Sequence, residues 1–173
     1  GQKGHEGYDV TRHAKNLDLG KYHFDERRIV VRGELIMPAK TWEKYYENQY
    51  PNVRNWVAGK INDKQPNKID MKRIQFVTYE ILEPAGLSPS QQFKLLEKWG
   101  FHTVPNLSVP KLDEEGLKNL LVSAEKTGIY QVDGLVVIQD EPYSFPTGDD
   151  RPKYSIAFKM QMEGDEAQTV VEK

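Results

Sequence analysis

Apolar and polar positions divide the chain into stretches of two different periods. Residues 28–36, Arg-Ile-Val-Val-Arg-Gly-Glu-Leu-Ile, are rich in β-branched side chains and predict a strand. Gly33 interrupts it, which marks a bend or a close backbone approach. Pro38 then opens a predicted helix in which Trp42, Tyr45, Tyr46 and Tyr50 recur every three or four residues, and Pro51 stops it. That aromatic side is expected to be core. Residues 74–82 alternate as a strand, with Ile74, Phe76, Thr78, Glu80 and Leu82 on one side, where Glu80 is the misfit.

Two further helices carry their own punctuation. Ser88-Pro89-Ser90 supplies a cap and a first-turn proline, Phe93, Leu96 and Trp99 follow, and Gly100 can end the run. Asp113 caps a stretch whose apolar stripe is Leu117, Leu120, Leu121 and Ala124, ending near Gly128. Strands are expected at 134–139, at 154–160 and near Thr169-Val170-Val171. A turn-rich loop with Pro142, Pro146, Gly148, Asp149, Asp150 and Pro152 separates the first two. The order β, α, β, α, α, β, β, β, with mostly antiparallel pairing, places the chain in the α+β class.

Composition narrows the function classes. At 173 residues with 38% hydrophobic and 10% aromatic side chains, the chain suits one folded domain. No apolar run approaches the roughly 18 residues of a membrane span, and the first residues lack a secretory segment, so a cytoplasmic location is expected. With no cysteine and four scattered histidines, disulfides and a thiolate zinc site are excluded and no metal site is called for by spacing. Twenty-four Lys and Arg against 26 Asp and Glu give a formal charge of −2, so any DNA contact must be local. The one basic stretch, Lys60, Lys64, Lys68, Lys72 and Arg73, reads as a solvated loop because Pro66 breaks a continuous helical face.

Four short segments place charge where chemistry could use it. In Arg32-Gly33-Glu34 a carboxylate sits in or just past an apolar strand, and a desolvated carboxylate needs a partner such as a ligand hydroxyl. An exposed strand-edge carboxylate is the alternative. In Pro51-Asn52-Val53-Arg54-Asn55-Trp56-Val57-Ala58-Gly59 an arginine able to grip phosphate through two parallel donors lies among small residues; a capped helix start with a surface arginine is the alternative. Asp133-Gly134-Leu135-Val136-Val137 sets an acidic residue before an apolar run, and taken alone reads as a common Asp-Gly turn. In Ser155-Ile156-Ala157-Phe158-Lys159 a lysine ends an apolar strand, where it can stabilise a transferring phosphoryl group or simply face solvent.

In this order the segments resemble the nucleotidyltransferase motifs of the NAD-dependent DNA ligase family: Val-Arg-Gly-Glu, Asn-x-Arg-Asn-x-x-x-Gly, Asp-Gly-Val-Val and Ala-Phe-Lys. Gly4-His5-Glu6-Gly7-Tyr8-Asp9-Val10-Thr11, Phe76-Val77-Thr78-Tyr79 and Trp99-Gly100-Phe101-His102-Thr103-Val104-Pro105 also look like segments of that family. The resemblance covers nearly the whole chain. It implies the nucleotidyltransferase (ATP-grasp-like) fold of DNA ligases, with residues 1–173 as a single, N-terminally incomplete adenylation domain. It implies NAD as the AMP donor, Mg2+ as the accompanying ion and nicked DNA as the acceptor. Glu34 would bind the adenylate ribose, Arg54 would lie by the phosphates, Asp133 and Gly134 would line the pocket and Lys159 would contact the AMP phosphate, with Arg54 and Lys159 the catalytic pair.

The chain departs from the family pattern at two places. It holds no Lys-x-Asp-Gly, the motif whose lysine takes AMP in the family, and Gly1-Gln2-Lys3-Gly4 stands where Arg-Gly-Asp-Gly is expected. The nucleophile is therefore expected from a missing segment or a second chain, and the protein is not expected to act alone. Ile138 stands where the Asp-Gly-Val-Val-x-Lys motif has lysine. A split subunit, a fragment of a longer enzyme, and a degenerate copy acting as a nucleotide- or protein-binding module all remain open. An ATP-using ligase or capping-type enzyme would share the fold. The shared expectation is one adenylate-sized cleft reached by Glu34, Arg54 and Lys159.

Overall fold

A computed structural model describes residues 7–23, 28–143 and 154–159. Strand β1 (Val30–Ile36) pairs antiparallel with β2 (Gln75–Glu83), with Arg32 opposite Glu80 and Leu35 opposite Phe76. Register shifts between Arg32 and Gly33, a bulge where the two backbones close up: a Cβ on Gly33 would lie 2.4 Å from the Val77 carbonyl oxygen. Gly33→Ala is therefore expected to destabilise the chain by about 1–3 kcal/mol, read as a lower urea midpoint; an unchanged midpoint would mean the strands can part freely here. A short β3 (His102–Thr103) lies parallel on the far side of β2, and the Thr78 hydroxyl donates to the His102 carbonyl at 2.8 Å.

Helices cover this sheet. After α1 (Thr11–Ala14), α2 (Ala39–Tyr45) follows Pro38, and α3 (Val53–Asn62) starts at Asn52, whose side chain accepts from the Asn55 N–H at 3.0 Å. These two meet the short α4 (Lys68–Lys72) around Met37, Trp42, Tyr46, Trp56, Val57, Met71 and Ile74, all buried. In α5 (Pro89–Lys98) the Gln91 side chain accepts from the Ser88 N–H at 2.9 Å, and the chain turns away at Gly100 with φ +82°. A second core, Ile81, Leu96 and Trp99, joins that helix to β2. Helix α6 (Glu114–Thr127) begins where Asp113 accepts from the Gly116 N–H at 2.8 Å and buries Leu121. Finally β4 (Leu135–Ile138) and β5 (Ser155–Phe158) form a separate antiparallel ribbon, Leu135 opposite Phe158 and Ile138 opposite Ser155. The described residues thus form an α+β arrangement, mostly antiparallel in its strand pairing and with helices packed on the three-stranded sheet.

Three expectations need correction. The aromatic side of α2 is core only in part: Trp42 and Tyr46 are buried, whereas Tyr45 and Tyr50 are exposed. With 3.6 residues per turn, positions 42 and 46 lie nearly one above the other, and α2 ends at Tyr45 before Tyr50 can join that line. The basic stretch is not simply a solvated loop, because Lys60 lies in α3 and Lys68 and Lys72 in α4. Lys60 Nζ is 2.8 Å from Asp70 Oδ2, and the Arg73 guanidinium packs 3.7 Å from the Tyr45 ring. The helices α1 and α4 and the parallel strand β3 were not among the expected elements, and α3 stands where a capped helix start was the alternative reading. Residues 169–171, most of the turn-rich loop and residues 1–6 lie outside the described residues. No described helix is long and apolar enough to cross a membrane.

Asp70 gathers α2, α3 and α4 at one point. Its Oδ1 accepts from the Tyr46 hydroxyl at 2.6 Å, and that hydroxyl accepts from Arg73 Nη1 at 2.7 Å. Burial pushes the Asp70 carboxyl upward, but hydrogen bonds from Lys60 and Tyr46 and the charges of Lys60 and Arg73 outweigh it, leaving it below its ordinary range. A carboxyl lowered in the fold contributes stability above its unfolded pKa of about 3.9 and loses it as pH falls through the lower folded value. Asp70→Asn should accordingly cost about 1–3 kcal/mol at pH 7 and less at pH 3, compared by urea titrations at both; an equal cost at both would rule out the ionised pairing.

Candidate functional site

The two basic residues singled out in the sequence, Arg54 and Lys159, meet on one carboxylate. Lys159, one residue past β5, donates from Nζ to Asp133 Oδ2 at 3.1 Å. Arg54, in the first turn of α3, places Nη2 3.8 Å from the same oxygen. The hydrogen bond from Lys159 is the main cause of an Asp133 carboxyl held below its usual range, with the charges of Lys159 and Arg54 adding to it. Arg54 and Lys159 keep 80% and 64% of their side-chain surfaces exposed, so the cluster faces solvent and both cations are open to an incoming anion.

Local structure explains each position. Asn52 caps α3, so Arg54 projects from the first turn of a helix whose Trp56 and Val57 are buried. The bland alternative for this segment, a capped helix start with a surface arginine, is correct as local structure, and it is the fold that brings Asp133 to that arginine. Asp133-Gly134 leads into β4 and does not form a turn between paired strands. A Cβ on Gly134 would lie 2.8 Å from the Phe158 carbonyl oxygen and 2.9 Å from Lys159 Cγ, so only glycine lets Lys159 lie across the start of β4. Ile138, at the other end of that strand opposite Ser155, is half-buried.

Glu34 stands apart from this cluster. It is exposed on β1, and among the described residues no hydrogen bond or ion pair ties it to Arg54, Asp133 or Lys159. Its carboxylate is felt at Tyr79, where burial raises the phenol's pKa, Arg32 opposes, and Glu34 and Glu80 add to the rise. The desolvation argument made for Glu34 belongs to Glu80, the misfit on β2. Glu80 is 6% exposed; its Oε2 pairs with Arg32 Nη1 at 3.1 Å and its Oε1 accepts from the Tyr143 hydroxyl at 3.0 Å. Sequence reading missed this pairing, although an acid on an otherwise apolar strand face was its visible signal. For Tyr143, inside a turn-rich loop, there was none.

Two cavities among the described residues are lined by other side chains. One, of about 380 Å³, lies along α3 between Tyr50, Asn52, Asn55, Trp56, Lys60 and Asp63. The other, of about 420 Å³, lies by His102, Thr103, Asn106 and Tyr130. At the second, His102 Nε2 is 2.9 Å from Asp18 Oδ1, and Gln75 links Asp18 to the Tyr130 hydroxyl through hydrogen bonds of 3.0 and 2.9 Å. Among the described residues no group of three or more His, Asp and Glu is arranged to hold a metal.

Comparison with known proteins gives a consistent picture. Residues 2–163 match the family described as NAD-dependent DNA ligase adenylation domain. A DNA ligase of Acanthamoeba polyphaga mimivirus is 32% identical over 160 residues, covering 90% of this chain and 25% of the relative. DNA ligases of Koribacter versatilis and Anaplasma marginale are 30% and 28% identical over 155 and 138 residues, each covering about four-fifths of this chain (78% and 77%) and 23% and 20% of the relative. The chain thus spans a quarter or less of the length of these relatives.

Proposed function

Because this chain belongs to the family of NAD-dependent DNA ligase adenylation domains, we propose that it forms the adenylate-binding part of an enzyme that seals nicked DNA with NAD as the AMP donor. The observation that carries this reading is the convergence of Arg54 and Lys159 on Asp133 Oδ2. Two cations held side by side would repel one another; the shared carboxylate keeps them together while leaving the cluster net positive. Phosphate oxygens arriving there meet an ammonium and a planar guanidinium already in place. Solvent screens these charges in the free chain, and they count for more once bound nucleotide excludes water.

In this reading Lys159 neutralises charge on the α-phosphate as phosphoryl transfer proceeds, and Arg54 orients the phosphates. Glu34 accepts hydrogen bonds from the ribose hydroxyls, and Asp133 and Gly134 form the pocket edge. The lysine that attacks the α-phosphorus, with nicotinamide mononucleotide leaving, comes from outside residues 1–173, either from an upstream segment or from a second chain. AMP passes from that lysine to the 5′-phosphate at the nick, and the 3′-hydroxyl then displaces it. Mg2+ would be held largely by substrate phosphates and water, as hard cations are in phosphoryl-transfer sites, since Asp133 is already engaged by two cations. We infer the nucleotidyltransferase fold, as one adenylation domain, on the same grounds.

Ile138 favours a second reading, a ligase-like domain that binds nucleotide or protein without catalysis, because isoleucine offers a phosphate nothing. Mixing the chain with a lysine-bearing adenylation segment and NAD labelled in its adenylate separates the two. The enzyme reading expects covalent label on the lysine-bearing segment only when this chain is present, stable to alkali and released by acid as a lysine phosphoramidate is, and its transfer to nicked DNA. No label, with AMP still bound, would establish the non-catalytic reading.

A further inference from the structure

We propose that Glu80, Tyr143 and Asp140 form a positioning clamp that holds the β4–β5 ribbon, and with it Asp133 and Lys159, in fixed relation to Glu34 on β1. The ribbon needs such a device. Two paired strands of four residues are marginal in water by themselves, and these two pack chiefly on each other. Val136 and Ile156 remain 66% and 68% exposed, so little apolar burial fixes where the ribbon lies.

Polar contacts supply what packing does not. Two residues past β4, Asp140 Oδ1 accepts from the Ser90 N–H at 2.9 Å, in the first turn of α5. Three residues further on, the Tyr143 hydroxyl donates to Glu80 Oε1 on β2. The Tyr143 ring also stacks on Tyr154, centroids 3.8 Å apart and planes 17° apart, and the Tyr154 carbonyl accepts from the Gln139 N–H at 3.0 Å. The exit of β4 and the entry of β5 are therefore held by the same pair of rings.

Glu80 is the pivot because its two oxygens serve different segments. Oε1 takes the ribbon through Tyr143, and Oε2 takes β1 through Arg32, two residues before Glu34. A carboxylate this deeply buried tolerates the loss of a partner poorly, so it resists displacement of either segment. Burial first, and then the Glu80 charge, pushes the Tyr143 phenol far above its ordinary range, so it stays protonated and donating at any physiological pH. The motif strand that carries Glu34 and the ribbon that carries Lys159 are thus joined through one buried side chain.

This inference rests on the adenylate-site reading, and its test separates the two. The 173-residue chain and its Tyr143→Phe and Asp140→Ala variants are compared by amide hydrogen exchange, AMP calorimetry and tryptophan-fluorescence melting. Tyr143→Phe keeps the ring stack and removes only the donor. Both variants should exchange the Leu135, Val137, Ile156 and Phe158 amides, which face across the ribbon in the same alternation as Gln139 and Tyr154, about tenfold faster and bind AMP about five- to tenfold more weakly, with the melting of the Trp42–Trp56 core unchanged. A purely structural role would shift that melting together with the affinity. Unchanged ribbon exchange in both variants overturns the clamp, whether or not AMP binds. Faster exchange with wild-type AMP affinity overturns its positioning role. If the wild-type chain binds no AMP, the adenylate reading fails, and the exchange data still decide whether the clamp exists.

Discussion

Lys159→Met is expected to slow lysine-AMP formation by about 100- to 1000-fold, the usual effect of removing a charged group aimed at a developing negative charge. The fold should not suffer. Lys159 and Asp133 are both largely exposed in the free chain, and such pairs contribute little net stability because water screens them and long side chains lose freedom on pairing. The variant should therefore melt like the parent while losing label in the trapping reaction. Loss of melting temperature together with activity would instead assign Lys159 a structural role. Full activity would place the phosphate subsite elsewhere.

Trp56→Ala should have the largest effect on stability, about 3–5 kcal/mol for deleting a buried large aromatic side chain. Trp56 is 6% exposed and sits among Tyr46 at 4.3 Å, Trp42 at 6.2 Å and Tyr50 at 6.3 Å between ring centroids, with Lys60 Nζ 5.0 Å from its centroid. Against a typical domain stability of about 5–15 kcal/mol, that loss removes much of what docks α3. Arg54 lies two residues earlier on the same helix, so AMP affinity should fall with stability in urea titrations. A variant losing less than about 1 kcal/mol would mean that the core around Trp56 repacks easily.

What the sequence disclosed depended on the range of the interaction involved. Helix α5 was readable because its signals are local: Ser88 and Pro89 at one end, Gly100 at the other, and an apolar stripe between them. The direction in which aromatic side chains point was less so. Tyr45 and Tyr46 are neighbours, yet one stacks on a guanidinium in solvent and the other is buried, because successive residues point about 100° apart around a helix axis.

Long-range pairings were not readable from spacing at all. Glu80 looked like a misfit because its partner Arg32 lies 48 residues away and its second partner Tyr143 lies 63 away. The same limit applies to the site. Arg54, Asp133 and Lys159 were nominated one by one, and each had an ordinary surface reading that its neighbours in sequence could not exclude. Only the fold, which sets the start of α3 beside the end of the ribbon where β4 begins and β5 finishes, makes them one cluster. Glu34 was named for a desolvated setting it does not have, so its place in the site depends on a ligand reaching from the cluster to β1.

A crystal structure of the chain with AMP tests that dependence most directly. The account predicts phosphate oxygens within hydrogen-bond reach of Lys159 Nζ and Arg54, and ribose hydroxyls donating to the Glu34 carboxylate. AMP bound in the cavity along α3 or in the one by His102, or with its ribose out of reach of Glu34 while the phosphate meets Lys159, would contradict it.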